Sequence, residues 1–304
     1  MTSEEDPLQP RPALGFVDAG RLGSSLAEAL HRMGHKVVAF SRRDAGRVDV
    51  LAGRLGGDVV GTTDPQAVVA AADVVFITSI DDLLAQRAAE LTFRRDQWVL
   101  HCSGATSVSI LAPARNAGAS TGGFHPLQTF PDDGGAARFA GVTFGVESED
   151  TALLRWLRDT ASGLGGRSVT LDDESRPLYH ASAVMAGPMV SALTGLAADL
   201  WTEFGHDREQ AVQALAPLLL GTAQHVSELG VPEAMTGPYV RGDLGPVLAH
   251  LEALERHGDE TLKAYAALAM AQLPIAAERG NIPDDRMHEL QRLLEGAMEG
   301  HAQT

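Results

Sequence analysis

The segment Gly15-Phe-Val-Asp18-Ala-Gly20-Arg-Leu-Gly23 decides the fold, because it places a glycine loop between two apolar patterns of different period. Residues 14–17 form a short apolar run typical of a strand, and residues 22–33 have the spacing of a helix. In the G-x-G-x-x-G pattern, the second glycine lets the backbone approach a pyrophosphate and the third lets the helix pack on the sheet. Gly20 and Gly23 fill these two positions. The order strand, loop, helix therefore predicts a dinucleotide-binding turn, with phosphates at the positive end of the helix.

Asp18 stands where this pattern has its first glycine. A carboxylate at this point repels a pyrophosphate unless hydrogen bonds hold it away, although Asp tolerates positive φ better than most residues. Two interpretations follow. The loop is a phosphate-binding turn with an altered first position, or it belongs to a related fold that no longer binds a dinucleotide.

The rest of the first half repeats the alternation of strand and helix. Such repetition is typical of an α/β fold with a doubly wound parallel sheet of the Rossmann type. The predicted strands after the first are 36–40, 58–60, 74–77, 98–101, 119–124 and 142–146. The predicted helices are 22–33, 65–72, 81–91 and 108–116.

The pattern changes after about Thr170, where helical periodicity continues without any strand signal. We therefore predict a disordered tail over 1–12, a Rossmann domain over 13–170 and an all-α C-terminal domain over 171–304. The predicted helices of this second domain are 177–204, 209–229, 246–257, 259–279 and 284–301.

Composition excludes several classes of protein. The 304 residues carry a net charge of −16, which argues against a nucleic-acid-binding face rich in Lys and Arg. The single cysteine, Cys102, allows no internal disulfide and fits a cytoplasmic protein, and we interpret it as a small buried residue. We find no apolar run of membrane-spanning length and no histidine spacing typical of a metal site.

The end of the second strand indicates which dinucleotide the domain prefers. An acidic residue about 20 positions after the loop would bind the ribose of NAD. Here Ser41 is followed by Arg42 and Arg43, and guanidinium groups suit the 2′-phosphate of NADP. The alternative is a solvated basic loop.

Four segments resemble the predicted-oxidoreductase family that joins a Rossmann-like domain to a helical C-terminal domain of unknown function. They are 17–23, His101-Cys-Ser-Gly-Ala105, Phe124-His-Pro-Leu-Gln-Thr-Phe130 and Thr236-Gly-Pro-Tyr-Val-Arg-Gly-Asp243. The wider superfamily includes prephenate dehydrogenases, pyrroline-carboxylate reductases, ketopantoate reductases and 6-phosphogluconate dehydrogenases. The resemblance implies an active site in a cleft between the domains and a homodimer formed by the helical domain.

The resemblance also implies roles for individual residues. Ser103 and His125 follow neighbouring strands, where prephenate dehydrogenases have a similar Ser and His-Pro pair. His125 would be a general acid that titrates near neutrality, Ser103 would orient the same substrate oxygen, and His180 would assist from the first helix of the second domain. The alternatives are that His125 is a buried structural histidine, that Ser103 caps a helix, and that His180 is a structural or exposed histidine.

Further residues are predicted to bind the ligands. The predicted cofactor-binding residues are Ala19, Gly20, Arg21, Leu22, Gly23, Ser41, Arg42, Arg43, Ser79 and Asp81. Gln128, Thr129 and Arg241 are predicted to bind substrate. The less specific alternative for Arg241 is an ion pair with Asp243 or another neighbour. Pro188 departs from relatives that have Asn in the corresponding helix, and a proline there also kinks the helix.

The function that we predict is an NADP-dependent oxidoreductase acting on a small keto or imino acid, or on the corresponding hydroxy or amino acid. Asp18 and Pro188 motivate the alternative, a non-redox or cofactor-independent protein on a degenerate Rossmann scaffold. A third interpretation is an interaction protein that acts through a helical dimer.

Overall fold

The computed structural model describes residues 12–130, 139–280 and 282–299. These residues belong to two compact units, Met1–Gly187 and Pro188–Thr304. Apart from Pro12, the tail predicted at 1–12 lies outside the described residues.

The first unit is built on one eight-stranded sheet with the strand order β3-β2-β1-β4-β5-β6-β7-β8. The first six strands have the order of a Rossmann sheet and run parallel, which confirms the predicted fold class. β7 runs antiparallel to β6, so the sheet is mixed at this edge and not wholly parallel as predicted. The strands are Leu14–Val17 (β1), Val37–Ser41 (β2), Val60–Thr62 (β3), Val74–Ile77 (β4), Trp98–His101 (β5), Ser120–Pro126 (β6), Thr143–Ser148 (β7) and Arg167–Thr170 (β8).

The central strands are apolar along their whole length because helices cover both faces of the sheet. In β4, Val74 and Phe76 belong to one core, while Val75 and Ile77 belong to the core on the opposite face. Phe16 stacks on Phe76 with ring centroids 4.9 Å apart, which joins β1 to β4 in the first of these cores.

The helices of the first unit include two, α2 and α6, that the sequence analysis did not predict. Asp44 caps α2, and Asp150 caps α6 through the backbone N–H groups of Ala152 and Leu153. The helices are Arg21–Arg32 (α1), Ala45–Leu55 (α2), Pro65–Ala71 (α3), Asp81–Glu90 (α4), Ala112–Asn116 (α5), Thr151–Gly163 (α6) and Arg176–Ala186 (α7), with a 3₁₀ turn at Val108–Leu111 before α5.

The helix predicted as one element over 177–204 is interrupted at Gly187. Gly187 has φ −116° and ψ −94°, and Pro188 begins the next helix. Proline lacks an N–H group and disfavours a helical conformation in the residue before it, so the interruption falls where the predicted kink lies. α7 stays with the sheet, because Arg176 is buried and Tyr179 contacts His125. The first compact unit therefore extends beyond the domain boundary predicted at 170.

The second unit is all-helical, and its core is formed by residues of α10, α11, α12 and α13. Val247, Leu251, Leu273 and Leu290 lie at the centre of this core. The helices are Pro188–Asp199 (α8), Arg208–Leu229 (α9), Pro238–Arg241 (α10), Leu244–His257 (α11), Asp259–Ala277 (α12) and Asp284–Glu299 (α13), with a 3₁₀ turn at Leu200–Phe204.

One helical stretch among the described residues, Arg176–Phe204, is long and apolar enough to cross a membrane by length and composition alone. Its 18-residue window has a mean hydropathy of 1.4, and only 6% of that window is buried. The sequence analysis found no uninterrupted apolar run of this length. Ser, Thr and His residues interrupt the stretch, but its average hydropathy remains high. Most residues of this window therefore lie outside the buried core of either unit.

Candidate active site

The glycine loop after β1 leaves the start of α1 open to a ligand. Gly20 precedes α1, and no side chain caps the helix there. A Cβ at position 20 would lie 3.8 Å from its nearest neighbour, the Asp18 carbonyl oxygen, so the space beside Gly20 is open. A Cβ at position 23, in contrast, would overlap the Thr78 side chain at the end of β4. Gly23 thus allows α1 to pack on the sheet, and Gly20 leaves room for a ligand to approach the N-terminus of α1.

The Asp18 carboxylate is held by an arginine. Asp18 has φ 53°, in the left-handed region that Asp tolerates. Its Oδ2 accepts hydrogen bonds from Ser79 Oγ at 2.6 Å and from Arg87 Nε at 2.8 Å, and its Oδ1 accepts one from Arg87 Nη2 at 3.3 Å. The hydrogen bonds that the sequence analysis required for this acid are therefore present.

Three arginines surround the space beside this loop. Arg42, Arg43 and Arg47 line a cavity of about 350 Å³, together with Gly20 and Ser79. Burial and the charges of Arg47 and Arg54 lower the pKa of Arg42. Among the described residues, Arg42, Arg43 and Arg47 form no ion pair with a carboxylate. Asp44 lines the same cavity, and its charge opposes the lowering of the Arg42 pKa. The three guanidinium groups outnumber this carboxylate, which suits a phosphate group.

Other predicted cofactor-binding residues fall outside this cavity. Ser41 is buried, and its Oγ accepts a hydrogen bond from the Asp18 N–H at 3.0 Å, so it supports the loop from beneath. Leu22 packs against the core of the first unit, and Arg21 is exposed at the start of α1. Asp81 is an exposed residue of the first turn of α4. Ala19 is the exception, because it is buried and yet lines the cavity.

A second group of polar side chains lies at the ends of β5 and β6. His125 Nδ1 is 2.9 Å from the Tyr179 hydroxyl oxygen, and the His125 and His180 ring centroids are 6.3 Å apart. A Cβ at Gly104 would lie 2.9 Å from His125 Nε2 and 2.9 Å from His180 Cδ2. Only glycine allows this close approach, so the loop after β5, the end of β6 and helix α7 meet at one point.

His125 is a neutral imidazole at pH 7. Burial, with His180 and Arg176 nearby, lowers its pKa to about 4. This corrects the expectation that His125 titrates near neutrality, because the charged form is poorly solvated and faces positive neighbours. When the Tyr179 hydroxyl donates to Nδ1, the hydrogen of the neutral ring is on Nε2, beside Gly104.

Beneath this site lies a buried arginine that the sequence analysis missed. Arg176 is 2% exposed, forms an ion pair with Glu147 at the end of β7, and donates from Nη1 to the Ser103 carbonyl oxygen at 3.2 Å. His101 is also buried, and burial, with Arg176 and His125 nearby, lowers its pKa to about 3. These contacts fix the start of α7, and with it the position of Tyr179 and His180.

Ser103 makes local hydrogen bonds. Its Oγ accepts from the N–H groups of Ala105 and Thr106 and donates to Thr106 Oγ1 at 2.9 Å. These bonds close a turn after β5, and the cap of the following 3₁₀ turn is Ser107, not Ser103 as in the helix-cap alternative. Cys102 is buried, and burial raises the pKa of its thiol to about 12, as expected for an unreactive cysteine.

The three residues predicted to bind substrate are all exposed. Gln128 Oε1 accepts a hydrogen bond from the Thr129 N–H at 2.8 Å, so this pair forms a local turn in the first unit. Arg241 forms an ion pair with Asp243 at 2.7 Å in the second unit, the less specific of the two alternatives. With Arg279 it lines a cavity of about 450 Å³ in that unit.

Tyr179, Arg176, Arg47 and Arg87 were not singled out from the sequence. Arg47 lies in the first turn of α2, four positions after Arg43, so its nearness in sequence to Arg42 and Arg43 offered a signal. The other three belong to helices whose facing strand is distant in sequence, so no local pattern marks them. Within the described ranges, no group of His, Cys, Asp and Glu is arranged to hold a metal ion.

Comparison with known proteins agrees with this architecture. Residues 2–126 match the family described as "Rossmann-like domain", and residues 142–272 match "Domain of unknown function (DUF2520)". No functionally curated protein sequence matches this chain.

Two solved structures are similar over nearly their whole length. A candidate NADP oxidoreductase from Bacteroides fragilis is 25% identical, with a TM-score of 0.69; the match covers 87% of this chain and 98% of that one. A protein from Thermotoga maritima is 25% identical, with a TM-score of 0.68 and coverage of 88% and 100%. The 1-pyrroline-5-carboxylate reductase of Streptococcus pyogenes shares the fold at 15% identity, with a TM-score of 0.60 and coverage of 93% and 99%. The chain thus combines a segment that matches a Rossmann-like domain with one that matches DUF2520, in the order that the resemblance implied.

Proposed function

We propose that the protein is an NADPH-dependent reductase of a small carbonyl or imine compound. The observation that carries this proposal is the cluster of Arg42, Arg43 and Arg47 beside the open end of α1. A helix N-terminus suits the pyrophosphate, and the guanidinium groups suit the 2′-phosphate that distinguishes NADP from NAD. The match to a candidate NADP oxidoreductase supports the same cofactor.

The site at the ends of β5 and β6 would contact the substrate oxygen or nitrogen that becomes protonated in the reaction. When bound, the reduced nicotinamide supplies a hydride to the carbon of the C=O or C=N bond. His125 would donate a hydrogen bond from Nε2 to the oxygen or nitrogen on which negative charge develops. A neutral imidazole suits this task because it donates without first requiring protonation. Tyr179 would hold the ring in the required tautomer, and the proton that completes the alcohol or amine would come from solvent, so that the imidazole stays neutral.

The substrate that we propose carries a carboxylate, as in a keto or imino acid. Arg241 and Arg279 line one cavity of the second unit, and guanidinium groups bind carboxylates in a forked geometry. The pyrroline-5-carboxylate reductase and a reductive aminase from Aspergillus terreus in complex with NADPH share this fold. Both proteins are named for chemistry at a carbon–nitrogen bond, which favours that substrate class.

Titration of the protein with NADPH and with NADH tests the cofactor assignment. We expect calorimetry to show micromolar binding of NADPH and at least tenfold weaker binding of NADH. Turnover would then be screened as NADPH oxidation with small keto acids, with and without ammonia. Absence of NADPH binding at millimolar concentration would end the proposal.

That outcome would favour a non-redox protein on the same scaffold. Pro188 is the observation behind this alternative, because it starts α8 with a residue that has no side-chain hydrogen bond to offer. The alternative predicts that NADPH binds only after Asp18→Gly and Pro188→Asn are introduced together.

We also propose that a second copy of the chain covers the apolar surface of α8 and α9. Each of these helices buries only one of its residues, Ala198 in α8 and Ala211 in α9. Leu218 and Leu220 of α9 are 68% and 71% exposed, and Met189 of α8 is 54% exposed. An apolar surface of this kind is typical of a subunit interface.

Light scattering coupled to size-exclusion chromatography tests this assembly. We expect twice the mass of the chain, and half of that for Leu218→Glu combined with Leu220→Glu. Val50→Glu, at a 55% exposed position of the first unit, is the control that should keep the dimer. A monomeric native protein, or one that requires detergent to remain in solution, contradicts the proposal.

A further inference from the structure

The acid in the glycine loop is paired with an arginine that no pattern in the sequence marks. Arg87 lies on α4, after β4, and reaches Asp18 in the loop after β1. Both of its outer nitrogens and Nε are used: Nε and Nη2 donate to Asp18, and Nη1 donates to Glu90 Oε2 at 2.9 Å. Arg87 therefore has a fixed orientation.

The pair is shielded from water. The Asp18 and Arg87 side chains are 14% and 19% exposed, whereas the surface pair Arg94–Asp73 has exposures of 48% and 55% at a similar distance of 2.9 Å. Charges interact more strongly where water is displaced, so the effect of Arg87 on Asp18 is larger than that of an ordinary surface ion pair. Ser79 adds a further hydrogen bond to the same carboxylate.

Asp18 also lines the cavity beside Gly20. An unpaired carboxylate at that wall would raise the free energy of a bound phosphate by direct repulsion. A carboxylate with a guanidinium in forked contact presents almost no net charge to the cavity. The backbone at Asp18 keeps the left-handed turn that a glycine would otherwise supply.

We infer that Arg87 is the positioning residue that makes the acidic loop compatible with a dinucleotide, by neutralising and orienting Asp18. The inference rests on the proposed function, since it concerns the same cofactor. The roles of Asp18 and Arg87 are coupled, so removal of Arg87 weakens dinucleotide binding only while the Asp18 carboxylate is present.

A double-mutant cycle with NADPH as the probe tests this coupling. The variants are Arg87→Met, which keeps the length of the side chain, Asp18→Asn, which keeps its shape, and the two combined. We expect Arg87→Met to weaken NADPH binding about tenfold or more, and Asp18→Asn to change it less than threefold. The combined variant should bind within threefold of Asp18→Asn. The penalty of Arg87→Met should also shrink in 1 M NaCl, because salt screens the exposed acid.

Arg94→Met is the matched control, since it removes an arginine paired with an aspartate at the amino-terminal edge of the same sheet, away from the cavity; it should bind NADPH as the native protein does. Circular dichroism and thermal unfolding verify that each variant is folded.

The possible outcomes separate this inference from the proposed function. If Arg87→Met binds NADPH like the native protein, or if the combined variant is as weak as Arg87→Met, the inference is wrong while the cofactor assignment stands. If the native protein fails to bind but Asp18→Asn binds, Arg87 does not compensate the acid, which also overturns the inference. If none of the four proteins binds NADPH, the proposed function itself fails, and the inference with it.

Discussion

The Tyr179 hydroxyl oxygen lies 2.9 Å from Nδ1 of His125, so a helix after the last strand holds the imidazole ring of a residue on β6. The two rings meet edge to face, with centroids 5.5 Å apart. Tyr179 also packs against Gly145, where a Cβ would lie 3.1 Å from its hydroxyl oxygen. The phenol thus has a defined position before any ligand arrives.

Tyr179→Phe should leave the fold intact and allow the His125 ring to exchange between its two neutral tautomers. Long-range ¹H–¹⁵N NMR should show the hydrogen on Nε2 in the native protein and a mixture of tautomers in the variant. Once a substrate is known, turnover should fall about 10- to 100-fold. Tyr265→Phe is the control, because Tyr265 is 2.8 Å from His250 Nδ1 in the second unit. Equal loss of turnover in both variants would contradict a specific role for Tyr179.

Acidification should destabilise the first unit through His125. Its pKa is about 4 in the folded protein, below the ordinary value of 6.5, so the unfolded chain binds the proton more readily. The stabilisation is fully present above pH 6.5 and is lost as the pH falls toward 4, by on the order of 2–3 kcal/mol. Denaturant titrations at several pH values measure this loss, and His125→Gln should reduce it. If the free energy of unfolding of His125→Gln depends on pH as steeply as that of the native protein, other groups such as His101 account for the effect.

Two glycines of the same loop should respond differently to an added methyl group. Gly23→Ala should lower the free energy of unfolding by about 1–3 kcal/mol, because its Cβ overlaps Thr78. Gly20→Ala should remain as stable as the native protein, since its Cβ has no neighbour closer than 3.8 Å. It should nevertheless weaken NADPH binding, because the methyl group occupies the approach to α1. Thermal unfolding and calorimetry distinguish the two effects, and equal stability of both variants would contradict this division of roles.

Arg47→Ala should reduce the preference for NADPH over NADH. Loss of one charge-assisted hydrogen bond to the 2′-phosphate should weaken NADPH binding about tenfold and leave NADH binding within twofold. Arg32→Ala, which removes a surface pair with Glu28 at the far end of α1, is the control. Parallel loss of both cofactors in Arg47→Ala would indicate a structural effect instead.

Much of the fold follows from local patterns. The apolar runs of β1, β4 and β5 have in the structure the bounds that were predicted, because strands covered on both faces are marked by their own residues. α6 was missed, although Leu153, Leu157 and Ala161 have helical spacing. The antiparallel direction of β7 was also missed, because strand direction depends on the path of the chain and not on the residues of the strand.

Residue patterns alone establish the alternation of strands and helices, the glycine loop with its arginines, and the helical second half, because each depends on contacts between near neighbours along the chain. The neutralisation of Asp18 depends on the folded chain, since Arg87 lies 69 positions away. The neutral state of His125 and its bond to Tyr179, 54 positions away, likewise depend on the folded chain. The charge state of a buried group depends on what surrounds it in space, and that surrounding is assembled from segments whose separation in sequence carries no local signal.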